Sequence, residues 1–173
     1  EWSIMRKAAW ILSAAVAVAL VVCGAAAAVR RPSLYEDGLY RFSIEPPAFS
    51  PAEKNASVVP VIMAAPLEGG FNSNVSVAVQ QLPMTRDTYR AMMLGQFKQS
   101  GFRINSQRDT TVSSRDAVVW DYEGIQGGRE LRWLAMVVVD ADRVYLITCT
   151  SPKEAFPKYE KEFHACLNSF RLK

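Results

Sequence analysis

One histidine and three cysteines are nearly all that the sequence offers as strong nucleophiles, general bases or soft metal ligands. That scarcity excludes most of the familiar catalytic constellations. His164 follows Phe163 and sits off the centre of an apolar helical stripe, so it reads as a surface or rim residue. No Ser or Cys nucleophile with an orienting acid falls beside it in the pattern, and no catalytic residue, cofactor or metal ligand is assigned. Cys23, Cys149 and Cys166 are too few and too scattered for a disulfide framework or a metal site of recognisable spacing. Net charge is missing as well. The formal +3 resides in Arg6, Lys7, Arg30 and Arg31 set against Glu1, and the remaining 16 basic and 16 acidic residues cancel. A neutral domain lacks the basic footprint of a nucleic-acid binder, so no nucleic-acid partner is expected. Internal repeats are absent, and 173 residues suit one globular domain with an appendage.

The appendage is what the chain has in excess. Ala8 to Val29 is a 22-residue run of apolar and small residues without a charge. As a helix it spans about 33 Å, close to the ~30 Å hydrocarbon core of a bilayer. Arg6 and Lys7 before it favour a cytoplasmic N-terminus, a bias that Arg30 and Arg31 weaken. Three versions are open: an uncleaved anchor, an export signal starting at Met5 with cleavage among Ala25 to Ala28, or a lipoprotein signal in which Cys23 is lipidated. Leu20-Val21-Val22-Cys23 resembles a lipobox, but Val22 is a poor match to the small residue expected there, so Cys23 is read first as a small apolar residue of a membrane helix. All three versions export the rest of the chain, and residues 32–173 are expected at the cell membrane on its extracytoplasmic side. The chain divides into a membrane or signal segment, residues 1–31, and an α+β domain, residues 32–173.

Within that domain, Leu131 to Val139 and Val144 to Cys149 are strand-length runs flanking Asp140-Ala141-Asp142-Arg143. They predict a hairpin that is apolar on both faces and therefore lies in the middle of a covered sheet. Before it, Leu39 to Glu45 alternates as a first strand, and Ser57 to Ala65 is a second, demoted to an edge or bulge by Pro60. Asn74 to Leu82 is a third, with Val75, Val77 and Val79 inward and Ser76, Ala78 and Gln80 outward. Thr85 offers an N-cap to a helix whose stripe is Tyr89, Met92, Met93, Gln96 and Phe97, ending at Gly101. A polar strand over Phe102 to Val112 and another over Asp116 to Gly124 precede the hairpin. After it, Phe156, Tyr159, Phe163, Cys166, Leu167 and Phe170 mark a final helix that folds back over the sheet and closes the chain.

Several groups invite a functional reading and are better explained structurally. Gly124 to Gly128 is glycine-rich, but a strand follows it, which suits a hairpin turn and not a phosphate cradle. Asp140 and Asp142 with Asp121 and Glu123 would make a cation site only if gathered, whereas Asp-Ala-Asp-Arg is ordinary turn chemistry and strand carboxylates are usually solvated. Trp120 and Trp133 belong to core strands. Asn55-Ala56-Ser57 and Asn74-Val75-Ser76 match the glycosylation sequon. Cys149 lies about 6 Å from the end of its strand, while the helix has risen roughly 13–21 Å by Cys166. Two buried thiols out of bridging range are therefore expected.

The pattern has a family resemblance. Gly38-Leu39-Tyr40-Arg41-Phe42-Ser43-Ile44-Glu45-Pro46-Pro47 at the start, Arg143 to Thr150, Phe156-Pro157-Lys158-Tyr159 and Asn168-Ser169-Phe170-Arg171 at the end resemble the PsbP-like superfamily over Tyr35 to Lys173. Phe49 stands where a tryptophan often follows the proline turn. The resemblance implies an antiparallel sheet of about six to seven strands with helices packed on it, in the order β-β-β-α-β-β-β-β-α. It carries no catalytic motif. It also implies a membrane-tethered or exported non-enzymatic module that acts through contacts with a protein partner; the alternative is a small-molecule or metal carrier with a pocket between sheet and helices.

Overall fold

The computed structural model describes residues 34–51 and 59–173. The apolar run of residues 8–29, Cys23 and the sequon at Asn55 lie outside the described residues. Strands and helices follow the order β1 (Tyr35–Asp37), β2 (Phe42–Ile44), β3 (Ser50–Pro51), β4 (Val61–Ala64), β5 (Asn74–Gln81), α1 (Arg86–Gln99), β6 (Arg103–Val112), β7 (Arg115–Gln126), β8 (Arg129–Asp140), β9 (Arg143–Pro152), α2 (Phe156–Ser169) and β10 (Arg171–Leu172). Seven strands form an antiparallel sheet in the order β3-β4-β5-β9-β8-β7-β6, and β1-β2-β10 form a small second sheet. Among the described residues no helix is long and apolar enough to cross a membrane.

The expected hairpin is the centre of the large sheet. β9 is the fourth of seven strands and pairs with β8 from Asp140↔Arg143 to Leu131↔Pro152. Every residue of β9 after Arg143 is buried, so it needs cover on both faces. On one face Tyr145, Ile147 and Cys149 join Leu134, Met136 and Val138 beneath Phe156, Phe163 and Phe170. On the other, Val144 and Leu146 join Trp120, Trp133 and Val137 beneath Tyr89, Met93 and Phe97 of α1. The aromatic rings lock in pairs: Phe97 lies 4.4 Å from Tyr122, and Tyr122 stacks on Trp133 at 5.1 Å. The preceding turn uses Gly127 and Gly128, with φ of 59° and 74°. Left-handed backbone at both central positions matches the right-handed twist of the β7–β8 ribbon and favours glycine.

Helix ends follow their local chemistry. Thr85 Oγ1 accepts the Thr88 amide at 3.2 Å and starts α1, and Gly101, with φ of 69°, ends that stretch. Pro157 lies in the first turn of α2, where its missing N–H costs no helical bond.

Five expectations need correction. Arg30 to Gly38 reads from sequence as a short polar connector, yet it contains β1, because Arg41 takes a left-handed φ of 57° and folds Tyr35–Asp37 back on Phe42–Ile44. The first strand accordingly starts at Phe42 and not at Leu39. Pro60 precedes β4, and the sheet edge is the two-residue β3. Ala78 and Gln80 do not face solvent, because the α1 layer buries that side of β5 as well. The chain closes on β10, which pairs with β2, and not on the last helix.

Cys149 and Cys166 are buried free thiols, as expected, in the core layer beneath α2. β9 runs on to Pro152, so Cys149 lies ~10 Å back from its end. Helix α2 starts at Phe156 and has risen only ~15 Å by Cys166.

Phe163 is fully buried, with Phe156, Tyr159 and Phe49 centroids at 5.5, 5.8 and 6.3 Å. Phe163→Ala should lower the unfolding free energy by about 3–5 kcal/mol in denaturant melts. A loss below about 1 kcal/mol would show that α2 is not a required cover.

Candidate functional site

Polar side chains converge at one place on the sheet, and β7 explains why. Its alternation sends Val118, Trp120 and Tyr122 under α1, and Ala117, Val119, Asp121 and Glu123 to the face that α2 crosses. Toward its C-terminal end that second face changes from apolar to carboxylate. The register sets Glu123 beside Arg132 of β8 and Arg103 of β6.

Arg132 is the hub. It donates from Nε and Nη2 to the two oxygens of Asp121, at 3.0 and 2.7 Å, and from Nη2 to Glu160 Oε1 of α2 at 3.0 Å. Its guanidinium carbon lies 4.2 Å from the Phe156 ring centroid. One planar cation thus ties β7, β8 and α2, a geometry that lysine could not reproduce. Glu123 accepts from Arg103 at 3.1 and 2.5 Å and pairs with Lys153 at 3.0 Å. Asn105 donates to Asp121 at 3.0 Å and to Glu123 at 3.4 Å, joining the halves. The carboxylates are the floor, 13 % and 11 % exposed, and Arg103, at 71 %, belongs to the rim.

The electrostatics suit binding and clamping better than proton transfer. Hydrogen bonds from Arg103 and Lys153 hold the Glu123 carboxyl down to about 2. Burial pushes Asp121 up, but hydrogen bonds from Arg132 and Asn105 outweigh it and leave that carboxyl below its ordinary value. Both groups stay ionised at neutral pH, so neither is poised to donate a proton. Among the described residues no group of three or more His, Cys, Asp or Glu is placed to hold a metal ion.

The residues singled out from sequence are dispersed. His164 is exposed on α2, near enough for its charge to act on Asp121. Asp140 lies at the far end of β8, six residues from Leu134, the register partner of Asp121, or ~20 Å along the strand. Asp140 pairs there with Arg115, and Asp142 with Arg143 at 4.0 Å, so the four acids do not gather. Asp121 and Glu123, expected to be solvated on a strand's outer face, are instead half-buried and buried, respectively, against partners. Trp120 and Trp133 are core residues. Asn74 is buried in β5 and donates to the Asn72 carbonyl at 2.9 Å, which withdraws its sequon from a folded-state enzyme. Sequence reasoning missed the Arg132 hub, although an arginine inside an otherwise apolar strand run was a signal for it.

The same end of the molecule carries exposed apolar residues. Arg129 Nη1 donates to the Gly69 carbonyl at 2.7 Å, tying the β7–β8 turn to the β4–β5 loop. Lys158 reaches from α2 to Glu68 of that loop at 2.6 Å. Ile125 and Leu67, 67 % and 52 % exposed, stand on these tied segments.

No protein-family model matches the chain, and no curated protein matches it in sequence. Solved structures match its fold. CyanoP, the PsbP of the cyanobacterium Synechocystis sp. PCC 6803, aligns over 89 % of this chain and 99 % of its own, with TM-score 0.64 and 15 % identity. PA94, a protein of unknown function from Pseudomonas aeruginosa, aligns over 80 % of this chain and 94 % of its own, at TM-score 0.59 and 19 % identity. LpqN, involved in cell envelope biogenesis in Mycobacterium tuberculosis, aligns over 82 % of each chain, at TM-score 0.56 and 9 % identity. The fold is PsbP-like.

The site carries a pH signature. Glu123 has an ordinary value of 4.5 and a folded value of about 2. Its contribution to stability is therefore complete above 4.5 and is lost as pH falls toward 2. Glu123→Gln should cost ~1 kcal/mol at pH 7, since its partners are exposed and screened, and almost nothing near pH 2. Denaturant titrations that gave the same difference at both ends would remove the ion pairs from the account.

Proposed function

We propose that this PsbP-like domain is a non-enzymatic binding module, held at or exported across a membrane, that docks a protein partner on the loop end carrying Leu67, Ile125 and the charged rim. The observation that carries the reading is the pair of exposed apolar side chains on segments fixed to one another, rimmed by Arg103, Lys153 and Lys158. Apolar contact with a polar, charged border is the composition of a protein interface. Both faces of the sheet are filled by aromatic side chains. That filling supports protein contact over a carrier with a pocket between sheet and helices. The apolar run of residues 8–29 supports membrane attachment. LpqN, which has the same fold, is involved in cell envelope biogenesis, and this supports an extracytoplasmic setting.

Cross-linking and affinity capture of the full chain from its native membranes should recover a discrete protein partner. Leu67→Asp with Ile125→Asp should reduce its recovery at least tenfold while the circular dichroism stays native. Mass analysis of the captured chain reads its N-terminus directly, separating an intact anchor, a cleaved signal and a lipidated Cys23. Recovery of low-molecular-weight ligands alone, or undiminished capture by the double variant, would overturn the docking assignment.

A further inference from the structure

Leu39 is the most exposed large apolar side chain among the described residues, at 76 %, and it stands at the tip of the β1–β2 turn. Asp37 Oδ1 accepts the Leu39 and Tyr40 amides at 3.0 and 2.8 Å, and the left-handed Arg41 closes the turn onto β2. Tyr145 of the central strand donates to the Tyr40 carbonyl at 2.9 Å, which pins the turn to the core. The leucine is therefore held outward by a fixed turn and not left outside by a loose loop.

Cations surround it. The Lys173 amide donates to the Arg41 carbonyl at 2.9 Å, and β10 sets Arg171 beside Ser43. Arg41, Arg171 and Lys173 are all exposed. Lys173 pairs with Glu36 at 2.7 Å, but among the described residues neither Arg41 nor Arg171 has a carboxylate partner. Asp37 turns its carboxylate to the turn amides and the Tyr35 hydroxyl. An apolar tip ringed by long cationic side chains has the composition of a membrane-surface contact: the leucine enters the boundary between headgroups and acyl chains, and the cations reach the lipid phosphates.

The apolar run of residues 8–29 supplies the proximity. Only residues 30–33 separate Val29 from Leu34, the first described residue. Those five Cα steps reach at most ~18 Å even when extended. Strand β1 then carries the chain ~13 Å from Leu34 to the turn. Arg30 and Arg31 add charge of the same sign to the connector. Tethering at so short a range populates a contact too weak to hold a free domain.

We propose that the β1–β2 turn seats Leu39 on an anionic bilayer surface, with Arg41, Arg171 and Lys173 against the lipid phosphates. This contact rests on the membrane attachment of residues 8–29 put forward above, and it fixes which end of the domain meets the membrane. The turn lies at the β8–β9 end of the sheet, since Tyr145, which holds it, is two residues past Arg143. The Leu172 amide, next to Lys173, donates to Ser113 Oγ of the neighbouring β6–β7 turn at 3.1 Å. Leu67 and Ile125 belong to the opposite end, ~35 Å away along the 12 residues of β8. The protein-docking end therefore points away from the bilayer.

The test uses the full chain, with Cys23→Ser, reconstituted in vesicles of phosphatidylcholine and phosphatidylglycerol. Gly38→Cys carries an environment-sensitive fluorophore beside Leu39, at a position where an added Cβ meets nothing within 4 Å. Ile125→Cys carries the same fluorophore at the opposite end, and the buried Cys149 and Cys166 stay unlabelled. Flotation with the vesicles after an alkaline wash reads attachment separately from the contact. Brominated lipids should quench the probe at residue 38 by roughly half or more, and the probe at residue 125 by less than about a tenth. Leu39→Asp with Arg41→Glu should return the probe at residue 38 to its unquenched level, with flotation and circular dichroism unchanged. A chain that fails to float would overturn the attachment and the contact together. A floating chain whose probe at residue 38 stays unquenched, or shifts to the blue without quenching because a second copy covers it, would overturn the contact alone. Equal quenching at residue 125, or quenching undiminished in the double variant, would do the same.

Discussion

A strand that is apolar on both faces must be covered on both, and this single requirement organises the domain. From Val144 to Pro152 β9 has no solvent-facing side. Its neighbours β5 and β8 share the demand, so one layer of helix cannot suffice. The chain meets it twice: α1 lays Tyr89, Met93 and Phe97 on one face, and α2 with the Phe170 that caps it lays Phe156, Phe163 and Phe170 on the other. The small sheet completes the second layer, with Phe42 stacked on Phe170 at 5.5 Å. The segment after α2 serves it too, because β10 pairs with β2.

Charge takes over where the covering layers thin out. Arg132 leaves an apolar strand, lies on Phe156 and joins Asp121 to Glu160, so the α2 layer is tied to the sheet electrostatically as well as by packing. Such a buried pair adds less stability than its geometry suggests, because both partners are desolvated. It does give α2 a fixed point of attachment to β7 and β8. The exposed rim around it, together with Leu67 and Ile125, is then presented by rigid segments and not by a loose loop. A binding surface gains from that rigidity, since less entropy is lost on docking.

How much of this was legible depended on the range of the interaction. The β8–β9 hairpin, the α2 stripe and the Thr85 cap are written in contiguous residues whose period or chemistry is local. The β1 and β10 strands are not: two or three residues have no measurable period, and their pairing exists only once Phe42 and Phe170 have met in the core. Ala78 and Gln80 alternate as though half-exposed, yet both are buried, Ala78 in the layer that α1, contributed by a later stretch, shares with Val59, Ile62 and Leu82. Asp121 and Glu123 read as solvated carboxylates because their partners Arg132, Arg103 and Lys153 come from three other segments. The proposed docking end was the least legible part, since Leu67 and Ile125 are linked to the charged rim only through side-chain ties such as Arg129 to Gly69.

Native-state hydrogen exchange, resolved by residue, tests the central claim most directly. If the doubly covered hairpin is the constraint on which the rest depends, the paired amides of β8 and β9 exchange only through global unfolding. Their opening free energies then equal the unfolding free energy from denaturant melts, while the outward amides of edge strand β6 exchange through local fluctuations several kcal/mol lower. Opening of β9 at a free energy well below the global value, or at the same level as β6, would contradict the account.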